Sequence, residues 1–115
     1  MNTHIMNLNP DALEMIKIGT KIIEMRLYDE KRKQISKDDC IKFISTINAN
    51  NQLKVKVKEL YIYKNFEELY KEFDKMKLGY KEDEIAHYSD MEEYYSKENI
   101  NKYGVIGIEV EPLNN

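Results

Sequence analysis

The sequence predicts an α+β fold in which a small mixed β-barrel is flanked by two or three helices. Several short stretches alternate apolar and polar residues, as half-buried strands do, and stretches with helical spacing and capping residues separate them. The helical stretches are too few to cover both faces of a parallel sheet, which disfavours a doubly wound fold. Because 115 residues make about one domain, we expect a single domain over residues 1–115.

The first helix is predicted over residues 10–18. Asn9 supplies a capping side chain before Pro10, and Gly19 supplies a left-handed stop. The apolar residues that recur at helical spacing are Ala12, Leu13, Met15 and Ile16.

Three strands are predicted in the next part of the chain. Residues 22–28 alternate, and this places Ile23, Met25 and Leu27 toward the core and Glu24, Arg26 and Tyr28 on the other face. A basic turn at residues 29–33 leads to a second strand at residues 39–44. Residues 53–63 form a long strand whose apolar phase slips after Glu59, as an extra residue in a β-bulge produces.

The C-terminal half predicts further helices and a closing strand. Asn65 caps a second helix that runs to about Lys77, before Gly79. Ser89 opens a third helical stretch, and Ser96 caps another turn. Residues 105–111 alternate again, with Ile106, Ile108 and Val110 inward, before Pro112 ends the strand.

Composition narrows the functional classes. Eighteen Lys and Arg against 21 Asp and Glu give a formal charge of -3, so any contact with nucleic acid must be local rather than driven by a basic surplus. No apolar run approaches the roughly 20 residues that span a bilayer, and the first residues lack the regions of a signal peptide. We therefore expect a soluble cytoplasmic protein without membrane contact.

Cysteine and histidine usage indicates neither a disulfide nor a metal site. Cys40 is the single cysteine, and its apolar strand pattern predicts a buried thiol that packs as a small hydrophobe. His4 and His87 lie far apart in the sequence without partners at metal-ligand spacing. We expect no metal and no cofactor.

Residues 19–26, with the sequence G-T-K-I-I-E-M-R, resemble the G-x-K-x-x-E-x-R signature of the ASCH family, a branch of the PUA-like superfamily. Residues 35–43 are similar to the turn-and-strand pattern I-x-x-G-D-x-I-x-F of that family, with Asp38 in place of the usual glycine. Asp tolerates positive φ better than most residues, so we expect the turn to accept it. Residues 94–98 and 103–108 resemble the closing helix and last strand of small bacterial members of the family.

The resemblance implies a PUA-like barrel with a cleft, lined by the signature, that binds RNA or a nucleotide-like or nucleoside-like ligand. In that cleft Lys21 and Arg26 would contact phosphate or base edges, and Glu24 would orient the ligand. Tyr28, Tyr94 and Tyr95 are candidates for stacking on a base. The alternative is that Lys21, Glu24 and Arg26 form an ion-pair network that only braces the barrel.

Two enzymatic alternatives stay open at this stage. One group of ASCH proteins hydrolyses N4-acetylcytidine with a lysine base and a threonine nucleophile three residues later, and here Lys21 matches whereas Glu24 replaces the threonine. If the chain is an enzyme, Lys21 and Glu24 are the catalytic candidates, for example by polarising a water molecule. The other alternative, a ribonuclease, rests on family association alone. The sequence gives neither the ligand nor the oligomeric state.

Overall fold

The computed structural model describes residues 1–113. Within that range the strands are β1 (Thr3–Leu8), β2 (Ile23–Leu27), β3 (Cys40–Ser45), β4 (Gln52–Tyr63) and β5 (Val105–Pro112), and the α-helices are α1 (Pro10–Ile18), α2 (Phe66–Glu72) and α3 (Lys97–Tyr103). Short 3₁₀ helices lie at Arg32–Gln34, Lys75–Leu78 and Tyr88–Glu93. The expected domain also includes residues 114–115, which lie outside the described residues. No helix up to Leu113 is long and apolar enough to cross a membrane.

The strands described here form one curled sheet in the order β1-β3-β4-β5-β2. β1 runs parallel to β3, and the other neighbouring pairs are antiparallel. The predicted α+β class and mixed sheet are therefore confirmed, in the form of a half-barrel. Because β1 and β2 are the two edges of the sheet, the half-barrel has a seam between them.

The sheet is buried on both faces where β2 meets β5. Glu24 lies opposite Ile108 and Arg26 lies opposite Ile106, so the register puts these four side chains on the same face. Ile106 and Ile108 belong to the apolar cluster inside the barrel, which also contains Met6, Phe43, Val55 and Val57. The opposite face carries Ile23, Met25 and Leu27 and packs against Phe66, Leu69 and Ile100 of the flanking helices.

Helix α1 closes one end of the barrel interior. Its bounds match the prediction, because the Asn9 side chain accepts a hydrogen bond from the Ala12 amide at 2.8 Å and Gly19 adopts φ 91°. Leu13 and Ile16 are buried in the barrel cluster. The cap and the stop therefore fix the length of a helix that inserts its apolar face into the core.

The predicted bulge in the long strand is confirmed. The register of β4 against β5 shifts between Val57 and Glu59, so Lys58 is the extra residue and the slip comes slightly earlier than the sequence indicated. After the bulge Leu60 packs in the barrel cluster, whereas Ile62 is exposed. The bulge lets β4 curl around the barrel.

Two local predictions were wrong, and one strand was not predicted. The sequence assigned no strand before Asn9, yet β1 forms there by pairing in parallel with β3. The second helix ends at Glu72 because Phe73 is extended and packs its ring against Tyr61, and Asp74 then caps the 3₁₀ helix. Cys40 is half-buried rather than buried, since its partners across the sheet are Thr3 and Lys56 on the outer face.

The third helical stretch has a different cap from the predicted one. His87, and not Ser89, caps the 3₁₀ helix Tyr88–Glu93, because the imidazole Nδ1 accepts from the Ser89 amide and the Asp90 carboxylate accepts from the His87 amide. Ser96 caps α3 as predicted.

The turn before β3 accepts Asp38 at positive φ, as expected, and the next residue, Asp39, connects two strands. Asp38 adopts φ 77°. The adjacent carboxylate of Asp39 accepts hydrogen bonds from the amides of Asn2 (3.2 Å) and Ser36 (3.0 Å) and pairs with His4 Nε2 at 2.8 Å. One buried carboxylate thus ties the start of β1 to the start of β3.

Asp39→Asn should weaken the acid dependence of stability. The hydrogen bond from His4 is the largest cause that lowers the pKa of Asp39 to about 2, helped by the Ser36 amide. Because this folded-state pKa lies below the unfolded value, the stabilisation is present at neutral pH and is lost as the pH falls from about 4 to about 2. We expect the variant to lose a smaller part of its unfolding free energy across that window, measured by urea denaturation.

The matched control is Asp83→Asn, at an exposed loop position. This variant should keep the wild-type slope of unfolding free energy against pH. A wild-type slope in Asp39→Asn would show that Asp39 does not contribute in this way.

Candidate functional site

An open cleft of about 550 Å³ lies between β1, α1, β2 and the segments that follow Leu78 and Asp90. Lys21, Glu24 and Arg26 lie on its floor. A cavity of this volume is in the range that holds small-molecule ligands. The structure therefore brings together, beside an opening, the three polar residues that the sequence singled out.

The chain around Lys21 is held from two sides. The amides of Gly19, Thr20 and Lys21 all donate to the Met15 carbonyl at the end of α1. The Ile22 amide donates to the Lys77 carbonyl at 3.0 Å. The helix stop and the 3₁₀ helix Lys75–Leu78 therefore fix the direction in which the Lys21 side chain leaves the backbone.

Lys21 is buried, with 5% of its surface exposed, and its ammonium group has three partners. Nζ donates to the carbonyls of Ile23 and Leu78, each at 2.8 Å, and lies 3.3 Å from Glu24 Oε1. Three acceptors require three N–H bonds, which the protonated amine has and the neutral amine lacks. The geometry around Nζ is that of a charged lysine whose donors are all in use.

Glu24 links the two cations of the floor. Its Oε2 accepts from Arg26 Nε at 2.6 Å, while Oε1 faces Lys21. Arg26 also donates through Nη2 to the Asn7 carbonyl at 2.7 Å. Among the described residues Nη1 has no acceptor, so the N–H bonds at this end of the guanidinium are unused.

Burial and charge act in opposite directions on the pKa values of this group. Burial lowers the pKa of Lys21, and Glu24 opposes that shift. Burial by itself would raise the pKa of Glu24. The charges and hydrogen bonds of Lys21 and Arg26 outweigh burial, so the pKa of Glu24 is lowered. Burial by itself would lower the pKa of Arg26. The charge and hydrogen bond of Glu24 outweigh burial, so the pKa of Arg26 is raised. Glu24 is therefore an anion between two cations.

The same side chain of Arg26 crosses the seam of the half-barrel. Arg26 lies on β2 and Asn7 on β1, at opposite ends of the strand order. A second bond crosses nearby, where Lys31 Nζ donates to the Ile5 carbonyl at 3.1 Å. Side chains, rather than a backbone ladder, thus hold the two edge strands together.

Gly79 gives the Lys21 side chain the space it occupies. Gly79 has φ 106°, and a Cβ atom at this position would lie 2.9 Å from Lys21 Cδ. Both the backbone angle and the close approach require glycine here. The loop after the 3₁₀ helix can therefore lie directly over the buried lysine.

The candidate tyrosines separate into two groups. Tyr94 and Tyr95 line the cleft, with Tyr94 65% exposed and Tyr95 stacked on Phe66 at 6.1 Å between ring centroids. Tyr28 shares the face of Glu24 and Arg26 but is not among the cleft residues, since it packs against the barrel cluster beneath Lys33. The structure thus brings Tyr94 and Tyr95, but not Tyr28, to the floor residues.

Sequence reasoning missed a second set of cleft residues. Tyr80 donates to Asp90 Oδ2 and shares a hydrogen bond with the Tyr70 hydroxyl, both at 2.7 Å. Burial and these hydrogen bonds raise the pKa of Tyr80, and burial raises that of Tyr70 to about 12, so both rings stay neutral. The capping pattern around Asp90 was visible in the sequence, but its proximity to Lys21 was not.

A family model described as "ASCH domain" matches residues 6–114 of the chain. Among curated proteins no match is found.

Several solved structures have a fold similar to that of this chain. The crystal structure of hypothetical protein PH0355 is 34% identical, with a TM-score of 0.81 over 98% of this chain and 100% of that one. The solution structure of protein PF0455 from Pyrococcus furiosus is also 34% identical, with a TM-score of 0.73 over 98% and 99% of the two chains. A mutant ASCH protein from Zymomonas mobilis is 13% identical, with a TM-score of 0.69 over 98% and 74%, and is similar in fold.

Lys21→Met should destabilise the fold strongly. The change leaves Glu24 without one cation and two buried carbonyls without a donor, and breaking a buried ion pair in this way costs about 3–5 kcal/mol. The free energy of unfolding from urea denaturation measures the effect.

Lys58→Met is the matched control. Lys58 pairs with Glu111 at 3.2 Å on the exposed face of the sheet, and such pairs contribute about 0–1 kcal/mol. Equal losses in the two variants would contradict a special role for Lys21 in holding the cleft floor.

Proposed function

Because this chain belongs to the ASCH domain family, we propose that it binds a nucleobase-containing ligand, as RNA or as a free nucleotide or nucleoside, in the cleft above Lys21, Glu24 and Arg26. The observation that carries the proposal is the guanidinium of Arg26. It is held in place by Glu24 and the Asn7 carbonyl at an open cleft, and Nη1 keeps its donors.

Each floor residue has a separate role in this proposal. Arg26 donates to a base carbonyl or ring nitrogen or to a phosphate oxygen, which suits a planar group with parallel N–H bonds. Glu24 holds the guanidinium in plane and keeps lone pairs that can accept from an exocyclic amine. Lys21 fixes Glu24 from below and supports the ligand indirectly, since its own donors are in use.

The aromatic side chains of the cleft provide the second part of the recognition. Tyr94 presents an exposed ring at the rim. Tyr95 lies deeper, where burial raises the pKa of its hydroxyl and the charge of Arg26 opposes that shift. Stacking on such rings suits any base, because every base has a π-face. Tyr28 has no part in this proposal, because it packs in the barrel.

The hydrolase alternative has less support from the geometry. A lysine base must be neutral and must point a lone pair at its substrate, whereas Nζ of Lys21 is surrounded by three acceptors. Lys21 and Arg26 lower the pKa of Glu24 against the effect of burial, which makes its carboxylate a weak base for activating water. Incubation with N4-acetylcytidine followed by chromatography tests the alternative, which requires turnover that Lys21→Ala abolishes.

Arg26→Lys should weaken binding by about tenfold or more, because a lysine replaces the planar fork with a point charge and a good bidentate contact to a base contributes about 1–3 kcal/mol. Titration of fluorescent single-stranded RNA and of free nucleosides into wild type and variant at low salt measures the change. Arg32→Lys is the matched control, since Arg32 pairs with Asp29 outside the cleft.

Tyr94→Ala separates binding from folding. The ring is exposed, so its loss should leave stability nearly unchanged while it weakens binding by about 1–3 kcal/mol of stacking. If neither RNA nor any nucleoside binds the wild type at low salt, the proposed function is wrong. Wild-type affinity in both Arg26→Lys and Tyr94→Ala would place the ligand elsewhere.

A further inference from the structure

The charges around the cleft are mostly negative. The carboxylates that line it within residues 1–113 are Asp11, Glu24, Glu84, Asp90 and Glu93, and the cationic side chains are Lys21, Arg26 and Lys81. The negative groups outnumber the positive ones, although a site for phosphate typically shows the opposite balance. The imbalance bears directly on which nucleobase-containing ligand can enter.

On the floor, the two cations share one anion. Glu24 lies between Lys21 and Arg26, and the Lys21 donors are already used by carbonyls. On the floor an entering phosphate therefore meets a single guanidinium that is paired with a carboxylate, and Lys81 is the one exposed cation that lines the cleft within residues 1–113. Arginine in this state suits a neutral acceptor, such as a base carbonyl, better than it suits a dianion.

The rim adds four carboxylates, against which the described lining residues set one exposed cation, Lys81. Glu84 accepts from the Lys81 amide at 2.7 Å, and Asp90 accepts from the Tyr80 hydroxyl and the His87 amide. These donors are neutral groups, so they do not balance the negative charge of either carboxylate. None of Asp11, Glu84, Asp90 and Glu93 forms an ion pair with a side chain in the part of the chain that the structure describes.

Four aromatic rings line the cleft, from the buried floor up to Tyr94 at the rim. Tyr70, Tyr80, Tyr94 and Tyr95 line the cleft together with Met15 and Met91. Flat rings and thioethers favour a flat, uncharged heterocycle. The carboxylates above them can accept from ribose hydroxyls or exocyclic amines, which are the donors that an unphosphorylated nucleoside presents.

We infer that the cleft selects an unphosphorylated nucleoside or free base over nucleotides and RNA, and that the rim carboxylates Asp11, Glu84, Asp90 and Glu93 determine this selectivity by repelling phosphate. The inference rests on the proposed function and narrows its ligand. The rim charges are exposed, so the selectivity depends on salt and weakens when the screening length falls below the width of the cleft.

The test compares adenosine, cytidine and uridine with their 5′-monophosphates by calorimetric or NMR titration of the wild-type chain. In about 50 mM sodium chloride, the nucleoside that binds should do so about tenfold more tightly than its monophosphate. In about 500 mM sodium chloride the ratio should fall toward one, because the repulsion is then screened.

A double variant identifies the source of the selectivity. Glu84→Gln with Glu93→Gln removes two rim charges, keeps an acceptor at each position, and leaves in place Asp11 in the first turn of α1 and the capping residue Asp90. This variant should bind the monophosphate about threefold more tightly than wild type at low salt, with little change for the nucleoside. Glu30→Gln with Glu98→Gln makes the same change in net charge at exposed positions that do not line the cleft, and it should leave the ratio unaltered.

The outcomes separate the inference from the proposed function. A monophosphate or an RNA that binds as tightly as the nucleoside, or more tightly, overturns the inference while the proposed function stands. Equal effects of the two double variants overturn the role of the rim. Absence of binding by every nucleoside, nucleotide and RNA overturns both proposals.

Discussion

The buried chain of charges from Lys21 through Glu24 to Arg26 is the constraint on which the rest of the structure depends. It connects the end of α1 and the 3₁₀ helix Lys75–Leu78, through the lysine, to β1, through the arginine. Burying three charged groups carries a large desolvation cost, which is offset only when each group finds several partners. The carbonyls of Ile23, Leu78 and Asn7 complete those partners.

Such a network is a weak source of stability but a strong source of specificity, because most misplacements of the parts leave a charge without a partner. In this chain it fixes how far apart the edge strands lie and which way the guanidinium faces. Bracing the barrel and the proposed contact with a ligand are therefore compatible, because they use different atoms of the same side chains. The two hypotheses that the sequence set against each other do not exclude one another.

The fold could be predicted from sequence where the signal was local. Caps and stops gave α1 its bounds, and the phase slip in β4 indicated its bulge. The sequence could not show which face of β2 and β5 points into the barrel. Both faces of these strands are buried, so burial does not distinguish the inside from the outside. β1 was missed because it owes its existence to parallel pairing with a distant strand, and Thr3, Ile5 and Asn7 on its exposed side give it little apolar pattern.

The candidate site, like the fold, could be predicted only where the signal was local. Strand alternation alone placed Glu24 and Arg26 on one face, and the family resemblance added Lys21. The aromatic and acidic groups across the cleft come from residues 80–95, whose loops and 3₁₀ turns have no period that indicates where they lie. Their position depends on tertiary packing, so their chemistry becomes visible only once the fold is known.

The close fit between Gly79 and the Lys21 side chain couples two positions that lie far apart in the sequence. A methyl group on the loop would push directly on the lysine stem, and the carboxylate and guanidinium beyond it would have to shift. A shorter residue at position 21 would relieve that contact but not the left-handed backbone angle at position 79. The loop can therefore cover the buried charges only with a residue that has no side chain.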